Sequence, residues 1–474
     1  MMSFSLDIQE ILRATGGRLL QSGAVKFTAV NTDTRTIGDG ELFVALKGDR
    51  FDGNDFLVTA LEHGAGAIVS REPAVTSLPE GKSVALVPDT LKALQDMARW
   101  IRMKRPEMPV IGVTGSNGKT TTKELAACVL GAKKMDVLKS RGNLNNQIGL
   151  PLNLCRLEPW HDAAILEMGA SMPADIEELC GIAHPSHGII TNIGQSHLEG
   201  FPGGVEQIAD TKLALARAAG TVIYNADDPV LKKAVEKEFM AQKQKEQKKL
   251  ISFGMHEGAQ VRATGISMEA GSSSFVVSAD GAAVRVRLLV PGMFNIYNAL
   301  GAAAAGLEFG ITLEDAAQAL EGFRGVPMRY EIKETGGATI LSDVYNANPA
   351  SMEQAVEELV RLRGKRAIAV LGDMLELGSY SEEAHRDLGR RLDADVFIAV
   401  GPMMGLALEE FQKKGENNKN FKKVKQERLA LSCTDSDQAA KELLANLRPG
   451  DTVLIKGSRG MKMEKVLPAE RQAE

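Results

Sequence analysis

Lys119 and Thr120 directly follow a glycine in the run VIGVTGSNGKTTTKE, residues 110–124. An ammonium beside a hydroxyl suits a bound polyphosphate: the lysine reaches the β- and γ-phosphates and the hydroxyl ligates a magnesium ion. Glycines in the same loop let backbone N–H groups approach phosphate oxygens, and a helix starting there adds the positive end of its dipole. The common spacing, G-x-x-x-x-G-K-[ST], requires glycine at 113, where this chain has Val113; the glycines are Gly112, Gly115 and Gly118. The loop Gly115, Ser116, Asn117, Gly118, Lys119, Thr120 and Thr121 is still expected to hold phosphate, between a strand at 109–113 and a helix at 121–130.

Other residues that could serve the same phosphate sit where apolar runs end. Glu167 closes AAILEM, and His197 lies just beyond GIITNIGQS. In a parallel sheet the carboxyl ends of the strands share one crevice, so both could converge on the phosphate and metal that Lys119 and Thr120 serve. Taken singly, such a residue is more often an ordinary surface or hydrogen-bonded group, and magnesium prefers oxygen ligands to histidine. Lys212, in IADTKLALARAAG, reads as one lysine on an amphipathic helix. Further on, DVYNANPASM and LGDMLELGSYSEEAH are polar loops whose Asp343, Asn346, Asn348 and Asp373 could cap helices or bind a ligand. Lys456, Ser458 and Arg459 in TVLIKGSRGMKME could clamp a carboxylate or phosphate.

These groups need a frame. A chain of 474 residues should form two to four domains, at roughly 100–200 residues each. Residues 1–106 mix short apolar runs with the helical TLKALQDMARWIRMKR, as a small α/β substrate domain would. Residues 107–325 alternate strand and helix patterns (PVIGVTG, TTKELAACVLGA, AAILEMG, ADIEELCGIA, HGIITNIG). That alternation implies a mainly parallel, P-loop ATPase-like sheet. Residues 326–474 repeat the pattern with ATILSDVY, RAIAVLGDM, DVFIAVG and DTVLIKGS, which suggests a Rossmann-like third domain.

Composition narrows the partners. The net charge of −5 gives no basic coat for nucleic acid or an anionic membrane. The charge-rich stretches KKAVEKEFMAQKQKEQKK and QKKGENNKNFKKVKQE read as a solvated helix and a surface loop. The four cysteines are widely spaced with no C-x-x-C pair, which argues against thiolate metal sites and disulfides and for a reducing cytoplasm. No signal peptide is expected from the opening residues, and no apolar run reaches the roughly 18 residues of a membrane span.

On these residues the chain resembles the Mur ligases of bacterial cell-wall synthesis. TGSNGKTT is similar to that family's T-G-[ST]-[NK]-G-K-T-[TS] loop, and the similarity runs from TDTRTIGDGELFVALKGDRFDGNDF to KGSRGMKME. DVYNANPASM and GDMLELG resemble the branch that adds D-alanyl-D-alanine to UDP-N-acetylmuramoyl-tripeptide; the D-N-P-R motif typical of diaminoacid-adding branches is absent. The resemblance implies an ATP-dependent amide ligase working through an acyl phosphate on small-molecule substrates, with two Mg²⁺ ions, as a cytoplasmic monomer that makes a peptidoglycan precursor.

The resemblance also assigns residues. Lys119 and Thr120 would hold the ATP phosphates and a Mg²⁺, and Glu167 and His197 match the family's metal-binding pair. Lys212 matches a lysine that several members carry as a carbamate, an oxygen-bearing anion suited to Mg²⁺. Asn295 and Asn298 match adenine-contacting positions, while Arg329 and Asp343 match nucleotide-contacting ones. Asn143, Asn145 and Asn146 in GNLNNQIGLP, with Asn346 and Asn348, fall in segments that meet substrate, and Thr34, Arg35 and Lys47 in motifs of the UDP end. Three positions depart from the pattern: Phe294 where a histidine is common, Met328 in place of a glycine, and Ala214 where a glutamate often follows the lysine. The other readings weighed are a P-loop switch or motor, a dinucleotide-binding oxidoreductase, and a diaminoacid-adding or folylpolyglutamate-type ligase.

Overall fold

A computed structural model describes residues 6–74, 77–240, 248–417 and 428–468. The alternating β-rich and helical runs fold into three main sheets flanked by helices, as the α/β reading expects. The central sheet has nine strands. Its order is Ala282–Leu288, Ser273–Ala279, Val261–Met268, Lys249–Gly254, Thr221–Asn225, His187–Ile190, Val110–Thr114, Ala163–Glu167 and Val137–Lys139. From Val137–Lys139 through Val261–Met268 all neighbours are parallel.

Val110–Thr114 is the strand from which the chain departs in both directions, with Ala163–Glu167 on one side and His187–Ile190 on the other. That is a topological switch point, the place where an open α/β sheet leaves a crevice beyond its carboxyl ends. The strand is buried throughout. Helices Lys119–Gly131 and Met293–Glu308 cover one face with their alanine-rich sides, and Asp175–Ala183 and Gly204–Ala218 cover the other. Burial on both faces explains its continuous apolar run. The predicted strand and helix differ from the observed ones by a residue or two at each end, because the helix starts inside the loop, at Lys119.

Two features escape the βα pattern. Val261–Met268, Ser273–Ala279 and Ala282–Leu288 form an antiparallel extension of the central sheet. Ser273–Ala279 alternates buried and half-buried residues along its length, so only one of its faces reads as apolar. In the last domain the four expected strands are joined by Glu331–Thr335 and Leu429–Cys433 at the two edges of a six-stranded sheet. Residues 241–247 and 418–427, within the two charge-rich stretches, lie outside the described residues; the first stretch begins in helix Pro229–Val235 and the second in helix Pro402–Asn417.

The N-terminal sheet of five strands is tied to the central one by helix Thr90–Met103, which Asp89 caps through the amides of Leu91 (2.8 Å) and Lys92 (3.0 Å). One apolar cluster runs without a break from Leu6, Phe27 and Leu42 through this helix to Val110, Leu166 and Val222. Arg102, only 2% exposed, stitches the junction. Its Nε donates to the Ala183 carbonyl (2.9 Å) and its Nη2 to those of Met108 (3.1 Å) and His184 (3.3 Å). Arg102→Met would leave these buried carbonyls unpaired, so it should destabilise the protein by about 2–4 kcal/mol. Chemical denaturation of the variant checks this; an unchanged midpoint would mean that water replaces the guanidinium.

Candidate active site

The loop after Val110–Thr114 is clamped from beside it by the segment after His187–Ile190. Ser116 Oγ donates to the Gly194 carbonyl (2.9 Å) and accepts from the Gly194 amide (2.8 Å). The Asn117 amide donates to Asn192 Oδ1 (2.9 Å), and the Asn117 carbonyl accepts from Thr191 Oγ1 (2.5 Å) and Asn192 Nδ2 (3.0 Å). Both loop glycines are sterically required. Gly115 has φ +148° and a Cβ there would stand 1.9 Å from Thr191 Oγ1; Gly118 has φ +82° and a Cβ there would stand 2.3 Å from Asn298 Oδ1. Asn298 thus packs beneath the loop, accepting from Thr122 Oγ1 (3.1 Å) and donating to Asn295 Oδ1 (3.3 Å). Lys119 folds its Nζ onto the carbonyls of Gly115 (2.8 Å) and Ser116 (3.3 Å). Desolvation lowers its pKa, and Glu167 opposes that shift.

These residues line a cleft of about 720 Å³. Glu167 enters it from the end of its strand, with Oε1 accepting from Asn145 Nδ2 (2.8 Å) and Oε2 buried with no partner among the described residues. Asn143 and Asn146 line the same wall, and Asn146 Oδ1 caps the next turn through the Gly149 amide (2.9 Å). A buried carboxylate oxygen without a donor, in the cleft that Thr120 also lines, is a costly arrangement unless a cation completes it.

The last domain supplies the opposite wall. Arg329 Nη2 donates to Thr120 Oγ1 (3.1 Å), and its guanidinium stacks 4.0 Å over the Tyr345 ring. Asn348 Nδ2 donates to Asn117 Oδ1 (2.8 Å), while Asn348 Oδ1 also caps helix Pro349–Arg361 through the Ser351 amide (2.9 Å). His197 Nδ1 contacts Glu376 Oε2 across the same divide. Three left-handed residues, Gly325 (φ +95°), Met328 (φ +64°) and Tyr330 (φ +50°), stand in the connection between the domains. A residue with a side chain is strained at φ +64°, so Met328 stands where a glycine would sit without cost.

Family profiles match in the same order along the chain: "Mur ligase family, catalytic domain" at residues 26–108, "Mur ligase middle domain" at 113–306 and "Mur ligase, glutamate ligase domain" at 328–459. A UDP-N-acetylmuramoyl-tripeptide–D-alanyl-D-alanine ligase of Bacillus subtilis (strain 168) is 38% identical over 455 residues, 92% of each chain. This chain belongs to the Mur ligase family. The enzyme of the same name from Escherichia coli (strain K12) is 34% identical across 98% of both chains. Among solved structures, MurF from Acinetobacter baumannii matches with a TM-score of 0.86 at 31% identity over 98% of both chains. A MurF ligase from Thermotoga maritima in complex with ADP matches with a TM-score of 0.75 at 31% identity, over 92% of this chain and 96% of that one.

Within this Mur ligase the structure gathers most of the expected residues into one cleft: Ser116 to Thr121, Asn143, Asn145, Asn146, Glu167, His197, Asn295, Asn298, Arg329, Asp343, Asn346 and Asn348. Others it leaves out. Thr34, Arg35 and Lys47 lie on the N-terminal domain away from the cleft, with Arg35 exposed and paired to Asp33 (2.5 Å). Lys212 is buried behind the cleft, and desolvation followed by the Lys119 charge drives its pKa well below the usual lysine value. The C-terminal clamp takes a different form: Lys456 is buried against the Asp343 carboxylate, Ser458 Oγ accepts from the Leu375 amide (2.9 Å), and Arg459 stays outside. Asp373 proves to be a helix cap, accepting from the Met404 amide (2.6 Å). Asn192, Gly194, Tyr345 and Glu376 are not foreshadowed by any motif: Gly194 acts through its backbone, Tyr345 through its ring face, and Asn192 through a side-chain amide that meets the loop only in the folded chain.

Proposed function

We propose that this Mur ligase joins D-alanyl-D-alanine to UDP-N-acetylmuramoyl-tripeptide at the expense of ATP. The observation that carries this is the meeting of Lys119, Thr120, Glu167 and Arg329, from two domains, around one phosphate-sized loop. The tripeptide carboxylate attacks the γ-phosphate, giving an acyl phosphate and ADP, and the acceptor amine then displaces phosphate. Lys119 and Arg329 bring positive charge to a step that joins two anions, which is where fixed charge lowers a barrier most. The N–H groups that open helix Lys119–Gly131 hold the phosphate chain. The last domain, seated on the loop through Asn348 and Arg329, keeps water from the acyl phosphate.

The donor set suits Mg²⁺. Thr120 Oγ1 and the unpartnered Glu167 Oε2 are oxygen ligands beside the phosphate site, and Mg²⁺ is commonly held by one or two carboxylates plus substrate phosphates. When bound, the ion neutralises phosphate charge. His197 and a carbamylated Lys212 would serve a second ion. A lysine pushed towards the neutral amine, as Lys212 is by burial, is the form that adds CO₂. Lys212→Ala should therefore lose roughly 10- to 100-fold in turnover. Wild-type activity should fall in CO₂-free buffer and return with bicarbonate; insensitivity to CO₂ would rule the carbamate out. Asn295 and Asn298 are assigned to the adenine, Thr34, Arg35 and Lys47 to the UDP end, and the enzyme to the cytoplasm as a monomer.

Incubating the protein with ATP, Mg²⁺, UDP-N-acetylmuramoyl-tripeptide and either D-alanyl-D-alanine or a free diaminoacid tests the reading. Pentapeptide and phosphate should form only with the dipeptide. Product with the free amino acid alone, or rapid ATP hydrolysis with no acceptor, would overturn it.

A further inference from the structure

Lys123 takes no part in the chemistry above, yet it is buried, with only 1% of its surface exposed. It lies one turn beyond Lys119 on helix Lys119–Gly131, four residues on and so on the same face. Its Nζ donates to the Ser140 carbonyl (2.7 Å) and pairs with Glu124 Oε1 (2.9 Å), whose other oxygen meets Lys139. A buried ion pair adds little to stability over an apolar side chain of the same volume. The fold alone therefore gives no strong reason for an ammonium at this place.

The bond to Ser140 leads to Glu167 by two routes. Ser140, itself 1% exposed, stands just past strand Val137–Lys139, which pairs with Ala163–Glu167 through Ile165 opposite Lys139. Its Oγ accepts from the Glu167 amide (3.0 Å), and its own amide donates to the Ile165 carbonyl (3.1 Å). Beyond it runs the segment 141–146. There the Arg141 amide donates to Asn153 Oδ1 (2.9 Å), Asn153 Nδ2 donates to the Leu144 carbonyl (2.8 Å), and Asn145 Nδ2 donates to Glu167 Oε1 (2.8 Å). Ser140 thus fixes the backbone of Glu167 and begins the segment that fixes its carboxylate. Oε2, the atom assigned to Mg²⁺, is left open among the described residues.

Resting on the assignment of Thr120 and Glu167 to Mg²⁺ above, we infer that Lys123 positions Glu167 for the metal. Through Ser140 it holds the carboxylate at a set distance from the phosphate loop, on the same helix that carries Lys119 and Thr120. Groups that orient a metal ligand shift metal affinity by about 10- to 100-fold when removed. Mn²⁺ is the probe, since it takes the same oxygen ligands and its paramagnetic resonance signal reports the free ion. In full-length Lys123→Met with ADP, the Mn²⁺ dissociation constant should rise about tenfold, while ADP without metal binds within about twofold of wild type. Turnover should need about tenfold more Mg²⁺ for half its maximum, with kcat at saturating Mg²⁺ within about threefold of wild type. Ser140→Ala keeps the carbonyl for Lys123 and loses only the hydroxyl that meets the Glu167 amide. It breaks the same chain at its second link, should weaken Mn²⁺ likewise, and serves where Lys123→Met does not fold. An unchanged Mn²⁺ constant in folded Lys123→Met, or in Ser140→Ala, would overturn the inference. So would a loss of kcat with Mn²⁺ affinity unaltered, the mark of a purely structural lysine. Glu167→Gln separates the two readings. If it holds Mn²⁺ as wild type does, the metal assignment fails and this inference with it; if it alone of the three variants is weakened, only this inference fails.

Discussion

Lys119→Ala should lower kcat by about 10³-fold or more, with thermal stability unchanged or slightly raised. The first half follows from position. Lys119 starts the helix on the phosphate loop, and its Nζ rests on two loop carbonyls with no carboxylate bound to it among the described residues, so its charge is free for an incoming phosphate chain. The second half follows from burial. Desolvation disfavours that ammonium more than Glu167 favours it, so truncation removes a group that costs the fold something. Single-turnover formation of the acyl phosphate, beside a melting curve, checks both halves. A variant within about tenfold of wild type in that step would remove Lys119 from phosphate activation.

Gly115→Ala should be nearly as damaging, for a different reason. The new methyl would stand 1.9 Å from Thr191 Oγ1, and φ at this position is +148°, which residues with a Cβ rarely adopt. Thr191 cannot simply turn aside, because its hydroxyl donates to the Asn117 carbonyl (2.5 Å) and thereby shapes the loop. Backbone strain alone accounts for about 1–3 kcal/mol, and a misplaced loop adds more by moving the phosphate away from Lys119. Turnover should fall at least about 100-fold, since small displacements at a reacting centre cost about that much. Adding Thr191→Ala should relieve the clash but not the strain, so the double variant should regain part of the activity. Full activity in Gly115→Ala would mean that the loop has another conformation in the complex.

Much of this site is written locally. The glycine–lysine–threonine run, the strand-end Glu167 and the small-residue helix holding Asn295 and Asn298 are each visible in a dozen residues, and the cleft gathers them because one sheet places all its carboxyl ends together. What is less visible depends on distant pairing. Nothing near Lys456 foretells that Asp343, more than a hundred positions away, will neutralise it. Asp373 could have bound a ligand until the chain returned with helix Pro402–Asn417 and put free amides against it. The edge strand Glu331–Thr335 hid for a related reason: its residues are half-exposed and charged, so its β character comes from its neighbour, Ala338–Asp343.

The two boundaries of the central domain are made of different material. Towards the N-terminus it shares one continuous apolar cluster, riveted by Arg102. Towards the C-terminus polar contacts prevail, Arg329 to Thr120, Asn348 to Asn117, Glu376 to His197 and Arg361 to the Met268 carbonyl (3.3 Å), beside one edge-to-face pair, Phe294 with Tyr330 (5.3 Å). The last domain meanwhile has apolar clusters of its own. Polar boundaries of this kind permit relative motion, whereas a common core forbids it. The molecule is thus built like a vice with one fixed jaw: the first two domains share a core, and the jaw that carries Arg329 and Glu376 is the one whose boundary permits travel. Distances within the first two domains are set when the chain folds, whereas those across the Arg329 and Asn348 boundary would be set anew at each closure.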